Sequence, residues 1–261
     1  MSWVGRLSGE VAIVTGSTSG LGREIARVFA VEGAAVMVTG RDAARGEAAA
    51  ARIAGGGGIA AFIRCNLTVE AECVALVSST VDRFGALTVL VNNAVSPEAI
   101  AQDGPVDRAD PAVWQRQFEV NLLSVALLCR EAIPHMRDAG HGSIVNISSR
   151  AAERGTPNLA AYTATKGGLN ALARSITADH AREGIRCNTV QPGYVLNDER
   201  DAGSSPERMA RYAAMHLTRT PNATDVAMAA LFFASRESEV ISGVTLPVDG
   251  GSTAVRGLTL G

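Results

Sequence analysis

Three side chains in this sequence have the types and spacing for proton transfer. Ser149 closes an apolar run, Tyr162 follows thirteen residues later, and Lys166 lies four residues beyond it. On a helix, positions i and i+4 are neighbours, so the phenol and the ammonium stand side by side. Hydride reduction of a ketone leaves an alkoxide that needs a proton at once, and a phenol can give it. A free phenol has a pKa near 10, and bringing it to about 7 requires about 4 kcal/mol of preference for the phenolate. A cation some 4–5 Å away at an effective dielectric near 20 supplies on the order of 3–4 kcal/mol. One lysine in register is therefore an effect of the right size. A serine hydroxyl beside the pair would donate to the carbonyl oxygen as charge develops there. The plain alternative is a core tyrosine and a solvated lysine. Yet the chain holds only three tyrosines, and Lys166 is its one lysine among 24 basic residues. Arginine serves everywhere else, which marks position 166 as a place where a guanidinium cannot do the work.

A glycine-rich stretch makes a second candidate. The run Thr15-Gly16-Ser17-Thr18-Ser19-Gly20-Leu21-Gly22 links an apolar run to a helical pattern. Glycines there allow a tight turn and let a pyrophosphate approach the helix N-terminus, whose free N–H groups and dipole favour anions. A unit that binds NAD usually ends its second strand with an acid that holds the ribose 2′-hydroxyl. Here the strand ends Val38-Thr39-Gly40-Arg41-Asp42. Gly40 stands at the acidic position, and Arg41 can pair with a 2′-phosphate. Asp42 reads as the cap of the next helix. This favours NADP over NAD.

The elements that must position these residues alternate along the whole chain. Strand-like runs cover 11–15, 35–39, 59–64, 87–92, 142–148, 185–191 and 244–248, with helical patterns near 20–32, 42–54, 69–84, 111–138, 158–183 and 222–235. The strands are short, continuous and rich in Val and Ile, as in a parallel sheet covered on both faces. Strict alternation with right-handed crossovers predicts a doubly wound α/β Rossmann-type sandwich, a seven-stranded parallel sheet with helices on both faces, in the order 3-2-1-4-5-6-7 if it follows the dinucleotide-binding pattern. Residues 1–261 read as a single dinucleotide-binding and catalytic domain; the glycines at 55–58 fall inside one unit and read as a turn. Residues 194–220 carry no clear element and follow a strand at the edge where ligands bind, so they read as a mobile substrate cover.

Composition bounds the rest. The 261 residues are 47% hydrophobic with a net charge of −2, which excludes disorder and argues against a nucleic-acid partner. Apolar stretches such as 122–129 are far shorter than the roughly 20 residues a membrane span needs. The start, MSWVGRLSGEVAIVTG, shows no export signal. Cys65, Cys73, Cys129 and Cys187 form no paired motif and read as reduced, buried residues of a cytoplasmic protein. His135, His141, His180 and His216 have no metal-ligand spacing and read as surface or helix-end residues, so no metal is expected.

Over roughly residues 8–252 the chain resembles the short-chain dehydrogenase/reductase family, in its compact branch that includes 3-oxoacyl reductases. The resemblance rests on TGSTSGLG at 15–22, NNA at 92–94, Asn121, Ser149, the Tyr162/Lys166 pair, Asn188, Pro192-Gly193 and the closing Val248-Asp249-Gly250-Gly251. It implies Tyr162 as general acid/base, Lys166 tuning it and holding the nicotinamide ribose, Ser149 orienting substrate and Asn121 anchoring a water-linked proton relay. It also implies Gly16, Ser17, Thr18, Gly20, Leu21 and Gly22 around the phosphates and ribose, Asn66, Leu67, Asn93 and Ala94 at the adenosine half, and Pro192, Gly193 and Val195 at the nicotinamide. The family is commonly tetrameric, which would bury the helices at 111–138 and 158–183. Four positions depart from its pattern: Val95 replaces a glycine, Asn66 an acid and Asn197 a threonine, and Ser19 stands where many NADP-preferring members carry a basic residue. The enoyl-reductase branch has a longer Tyr–Lys spacing than this one. The expected function is hydride transfer between NADP(H) and a carbonyl or secondary alcohol of 3-oxoacyl, cyclic ketone, sugar or steroid-like type. A dinucleotide-binding sensor without turnover is the rival, although it has no use for the Ser/Tyr/Lys register.

Overall fold

Seven short apolar runs pair into one sheet. In the computed structural model, which describes residues 5–255, these are β1 (Val11–Val14), β2 (Ala35–Gly40), β3 (Ile59–Arg64), β4 (Val89–Asn92), β5 (Gly142–Ile147), β6 (Ile185–Pro192) and β7 (Thr245–Val248). The expected single domain of 1–261 and the reading of the first residues extend to 1–4 and 256–261, which lie outside the described residues. The strand order is β3-β2-β1-β4-β5-β6-β7, and every pair is parallel. The expected sheet is the observed one.

The pleat sorts successive side chains into two cores. Ala12, Val14, Val36, Val38, Val89, Val91, Val145 and Ile147 face one core, with residues of α1 (Gly20–Val31), α2 (Ala43–Gly55) and a late helix at 223–234. Ile13, Met37, Leu90, Ile144 and Cys187 face the other, with α3 (Glu70–Phe84) and helices from 124–138 and 160–180. Both faces are covered, so the strands need no polar alternation. All four cysteines are free and buried. Among the described residues no helix is long and apolar enough to cross a membrane.

Local structure differs from expectation in three places. A short helix, α4 (Pro97–Ala101), follows β4; Ser96 caps it and Pro97 begins it. The stretch 111–138 is not one helix: α5 (Pro111–Phe118) runs into a wide π turn (Glu119–Leu123) before α6 (Ser124–Asp138). An extra residue in a turn leaves apolar periodicity almost intact, so pattern alone misses it. After α7 (Ala160–His180), the segment past β6 holds α8 (Asp198–Asp201) and α9 (Pro206–Ala213) before α10 (Ala223–Ala234). Asn197 and Ser205 cap α8 and α9 through Arg200 N and Arg208 N.

This segment is tied together rather than bare. The Tyr194 and Tyr212 rings stack with centroids 3.6 Å apart, and the guanidinium groups of Arg200 and Arg208 lie against their rings at 4.6 and 5.5 Å. Tyr194 Oη donates to Asp201 at 2.7 Å. His216 is not a surface residue: it is 6% exposed. Its Nδ1 donates to Tyr212 O at 2.9 Å, and its Nε2 accepts from Tyr194 N at 3.2 Å. Burial, its first cause, holds the imidazole below its ordinary pKa, which keeps the neutral tautomer that both bonds require. Replacing Tyr212 by Ala removes one ring from the stack. Amide exchange across 194–216 should accelerate, while Tm falls by less than about 3 °C, because Tyr212 belongs to neither core. A loss of Tm typical of core truncation would show instead that the stack supports the whole fold.

Candidate active site

The site forms where strand order reverses, at the carboxyl ends of β1 and β4. Gly16 and Gly20 have φ values of 63° and 50°, a region that L side chains rarely adopt. A Cβ on Gly22 would lie 2.3 Å from Gly16 O, and one on Gly40 would lie 2.6 Å from Thr18 Cγ2. The loop is therefore packed to the limit of its backbone. Ser19 precedes α1 without a side-chain cap, leaving the helix's first N–H groups facing the cleft. Such a cradle fits the pyrophosphate of a dinucleotide.

A cleft of about 1360 Å³ runs along this edge. Its walls include Gly16, Thr18, Gly20, Leu21 and Gly22 of the glycine loop, and Arg41 after β2. Asn66 and Leu67 follow β3, Asn93 and Ala94 follow β4, and Pro192, Gly193 and Val195 close the β6 side. Ser149, Tyr162 and Lys166 stand at the same edge. Two expected residues lie behind the wall. Ser17 is fully buried; its hydroxyl donates to Val14 O at 2.6 Å and accepts from Thr39 N at 3.0 Å, stitching β1 to β2. Asn121 is 1% exposed in the π turn, and its Nδ2 donates to Gln117 Oε1 and Thr165 Oγ1 at 2.5 and 3.2 Å. Its Oδ1 has no protein partner.

Sequence reading missed Thr15 and Asp103. The Thr15 hydroxyl donates to Val91 O and accepts from the backbone N–H groups of Asn93 and Ala94 at 2.9 and 3.1 Å, locking the β1 and β4 ends together. Asn93 Nδ2 donates to Thr15 O at 2.8 Å. Asp103 accepts from Tyr162 N and Ala161 N at 2.9 and 3.3 Å and so caps the start of α7. A carboxylate there satisfies free helix donors and complements the helix dipole. Tyr194 and Arg200 also line the cleft, on the segment expected to cover substrate.

Of the four departures, Val95 costs the backbone nothing in the left-handed region, because among the described residues only Asn158 combines a side chain with positive φ. Asn197 caps α8 through a 2.9 Å bond from Arg200 N. Asn66 Oδ1 accepts from both Thr68 N and Thr68 Oγ1. Ser19 lines the cleft.

Leu169, Ala173 and Ile176 of α7 are buried in the second core, which fixes the face carrying Tyr162 and Lys166 at the sheet edge. Lys166 is 1% exposed, and its Nζ donates to Ile147 O at 2.7 Å. That nitrogen lies 5.7 Å from the Tyr162 ring centroid. Ser148 Oγ donates to Lys166 O at 3.0 Å, joining the end of β5 to α7. Ser149 Oγ accepts from Ala151 N at 3.2 Å at the end of β5, beside the Tyr162 phenol. Burial pushes the Tyr162 phenol above its ordinary pKa, against the pull of Ser149. Burial also pushes the Lys166 ammonium down to about 7. The expected lowering of the phenol is thus not found: desolvation outweighs the pull of Ser149, and Lys166, itself lowered by burial, contributes no resolved lowering.

Comparison with known proteins agrees with this geometry. The family model described as enoyl-(acyl carrier protein) reductase matches residues 16–253. The cis-4-hydroxycyclohexanecarboxylate dehydrogenase of Sinomonas cyclohexanicum is 39% identical, across 94% of this chain and 97% of its own. The NADP-dependent (R)-specific alcohol dehydrogenase of Lentilactobacillus kefiri is 38% identical, across 95% and 98%. Among solved structures, a gluconate 5-dehydrogenase from Burkholderia cenocepacia J2315, in complex with NADP and tartrate, superposes with a TM-score of 0.89 at 32% identity, covering 96% of this chain and 98% of that one. A shared sheet, the glycine cradle and relatives matched over nearly their full lengths lead to one conclusion: the chain belongs to the short-chain dehydrogenase/reductase family of NAD(P)-dependent oxidoreductases.

Proposed function

We propose that this chain, as one dinucleotide-binding and catalytic domain, transfers hydride between NADP(H) and a carbonyl or secondary-alcohol substrate. The observation that carries the reading is the Ser149–Tyr162–Lys166 group, which lines the same cleft as the glycine cradle. Ser149 holds the substrate oxygen. Tyr162 gives that oxygen a proton in reduction and takes it back in oxidation. Lys166 stands beside the phenol and holds the nicotinamide ribose, and Asn121, whose Oδ1 has no protein partner, anchors the proton's route to solvent. When bound, the dinucleotide supplies the hydride and, once oxidised, a positive ring that lowers the phenol's pKa. The N-terminus of α1 would hold its pyrophosphate, and Arg41 would pair with a 2′-phosphate.

The same family reading supports a cytoplasmic homotetramer. An apolar groove of about 780 Å³ runs between α5, α6 and α7, lined by Phe118, Leu122, Leu123 and Leu172. Phe118 and Leu123 are 41% and 55% exposed, an apolar face that suits a second copy of the chain. Sedimentation should give four times the chain mass, and Leu123→Asp should lower it; a monomeric wild type would sink this part of the reading.

Two further outcomes test the chemistry. Tyr162→Phe should cut kcat by at least about a thousandfold, with NADPH affinity within about threefold of wild type, since only the acid/base group is removed. Turnover that survives the change would rule out Tyr162 as the proton donor, and a wild type inert across a broad carbonyl panel would favour the sensor reading. Lys166 gives a pH test. Its folded pKa near 7 lies below that of a free lysine, so between pH 7 and about 10 the unfolded chain holds a proton that the folded chain has released. Stability should therefore rise across that window on this group's account and carry the full penalty below pH 7. Lys166→Met should flatten the rise in denaturation midpoint while abolishing turnover. A variant whose pH profile parallels that of wild type would show that Lys166 is not the discharged group.

A further inference from the structure

A salt bridge spans the outer end of the cofactor cleft. Arg41 Nη2 meets Glu98 Oε1 at 3.1 Å, across 57 residues of sequence. Arg41 follows β2 and Glu98 lies in the first turn of α4, beyond β4. In the sheet, β1 lies between those two strands, so the pair arches over the end of β1, where the dinucleotide crevice opens. Both residues line the cleft. Glu98 is held in place: Ser96 Oγ donates to its Oε2 at 3.2 Å, and Pro97 starts the helix beside it. Its own backbone N–H, and after it Arg41, keep the carboxyl below the usual range, so it is charged at neutral pH. The neighbouring Arg45 is tied to Asp42 on its own wall at 2.9 Å, whereas the partner of Arg41 comes from across the crevice.

We propose that Glu98 is a specificity-determining residue for the dinucleotide: its carboxylate competes with the 2′-phosphate for Arg41. The inference rests on the reading of Arg41 as the 2′-phosphate ligand. NAD(H) offers nothing that displaces Glu98, and the bridge stays closed over its ribose hydroxyls. NADP(H) must break the bridge, exchanging a carboxylate for a phosphate of greater charge and more acceptor oxygens, and it then leaves Glu98 without its guanidinium beside a second anion. Glu98 thus moderates a preference that Arg41 creates. Both side chains are well over half exposed, so the effect is modest and sensitive to salt.

The test measures dissociation constants of NADPH and NADH by nicotinamide fluorescence for wild type, Glu98→Gln, Arg41→Ala and the double variant. Glutamine keeps the shape and the Ser96 bond while removing the charge. Glu98→Gln should tighten NADPH by about three- to tenfold at low ionic strength, less at high, and leave NADH within about twofold. In the Arg41→Ala background the same change should gain less. If Arg41→Ala weakens NADPH selectively while Glu98→Gln leaves it unchanged or weaker, the competition is overturned and the cofactor reading stands. A gain undiminished without Arg41 also overturns it, since Glu98 would then act by simple repulsion. If Arg41→Ala weakens both cofactors alike, the NADP reading fails, and this inference falls with it.

Discussion

The site depends on one buried ammonium. Lys166 is 1% exposed, its Nζ has a single bond, to Ile147 O, and among the described residues no carboxylate lies within ion-pair distance of it. Removing an ion from water costs several kcal/mol even after relaxation. The fold accepts that cost by placing the group at the end of β5, where the Ile147 carbonyl accepts its hydrogen bond. Everything else at this edge serves that placement. The core face of α7 sets the rotation of the helix, and Ser148 holds its backbone to the strand end. Burial lowers the Lys166 ammonium and raises the Tyr162 phenol, so the same desolvation pushes both groups toward their neutral forms.

The stretch from β4 to α7 carries two duties in one run of chain. Asn93, Ala94, Val95 and Glu98 form a wall of the cofactor cleft, and five residues after Glu98 the Asp103 carboxylate caps the helix that bears Tyr162. The cofactor wall and the proton donor are therefore joined by a short segment rather than through the sheet. Thr15 secures its near end with three hydrogen bonds. A change of position at one end has little slack before it reaches the other.

Much of this was legible in the chain. All seven strands read correctly because the central ones are buried, Val- and Ile-rich runs and the edge strands β3 and β7 keep the alternation with helices, and the strand order follows from the dinucleotide-binding pattern. The Tyr162/Lys166 pair was legible because helical spacing is local. Asp103 was not, because its partner is 59 residues away and a capping carboxylate looks like any loop acid. Ser17 has the right type and place for a ligand contact, yet strand-to-strand bonding uses its hydroxyl. The short helices α4 and α9 did leave a mark, a serine followed by proline, too brief to stand out from turn chemistry. The His216 bonds and the paired tyrosines depend on how a long segment folds back on itself, and no period encodes that.

The wide π turn at Glu119–Leu123 has a consequence for how this region can vary in descent. A residue lost there would return the stretch to a regular helix and rotate all that precedes it by about 100° relative to α6. Asn121 would leave its place beside Thr165, and the α5 face would swing away from α7. The number of residues in this turn is therefore fixed as firmly as the identity of Asn121: here the gene is constrained by length as well as by spelling.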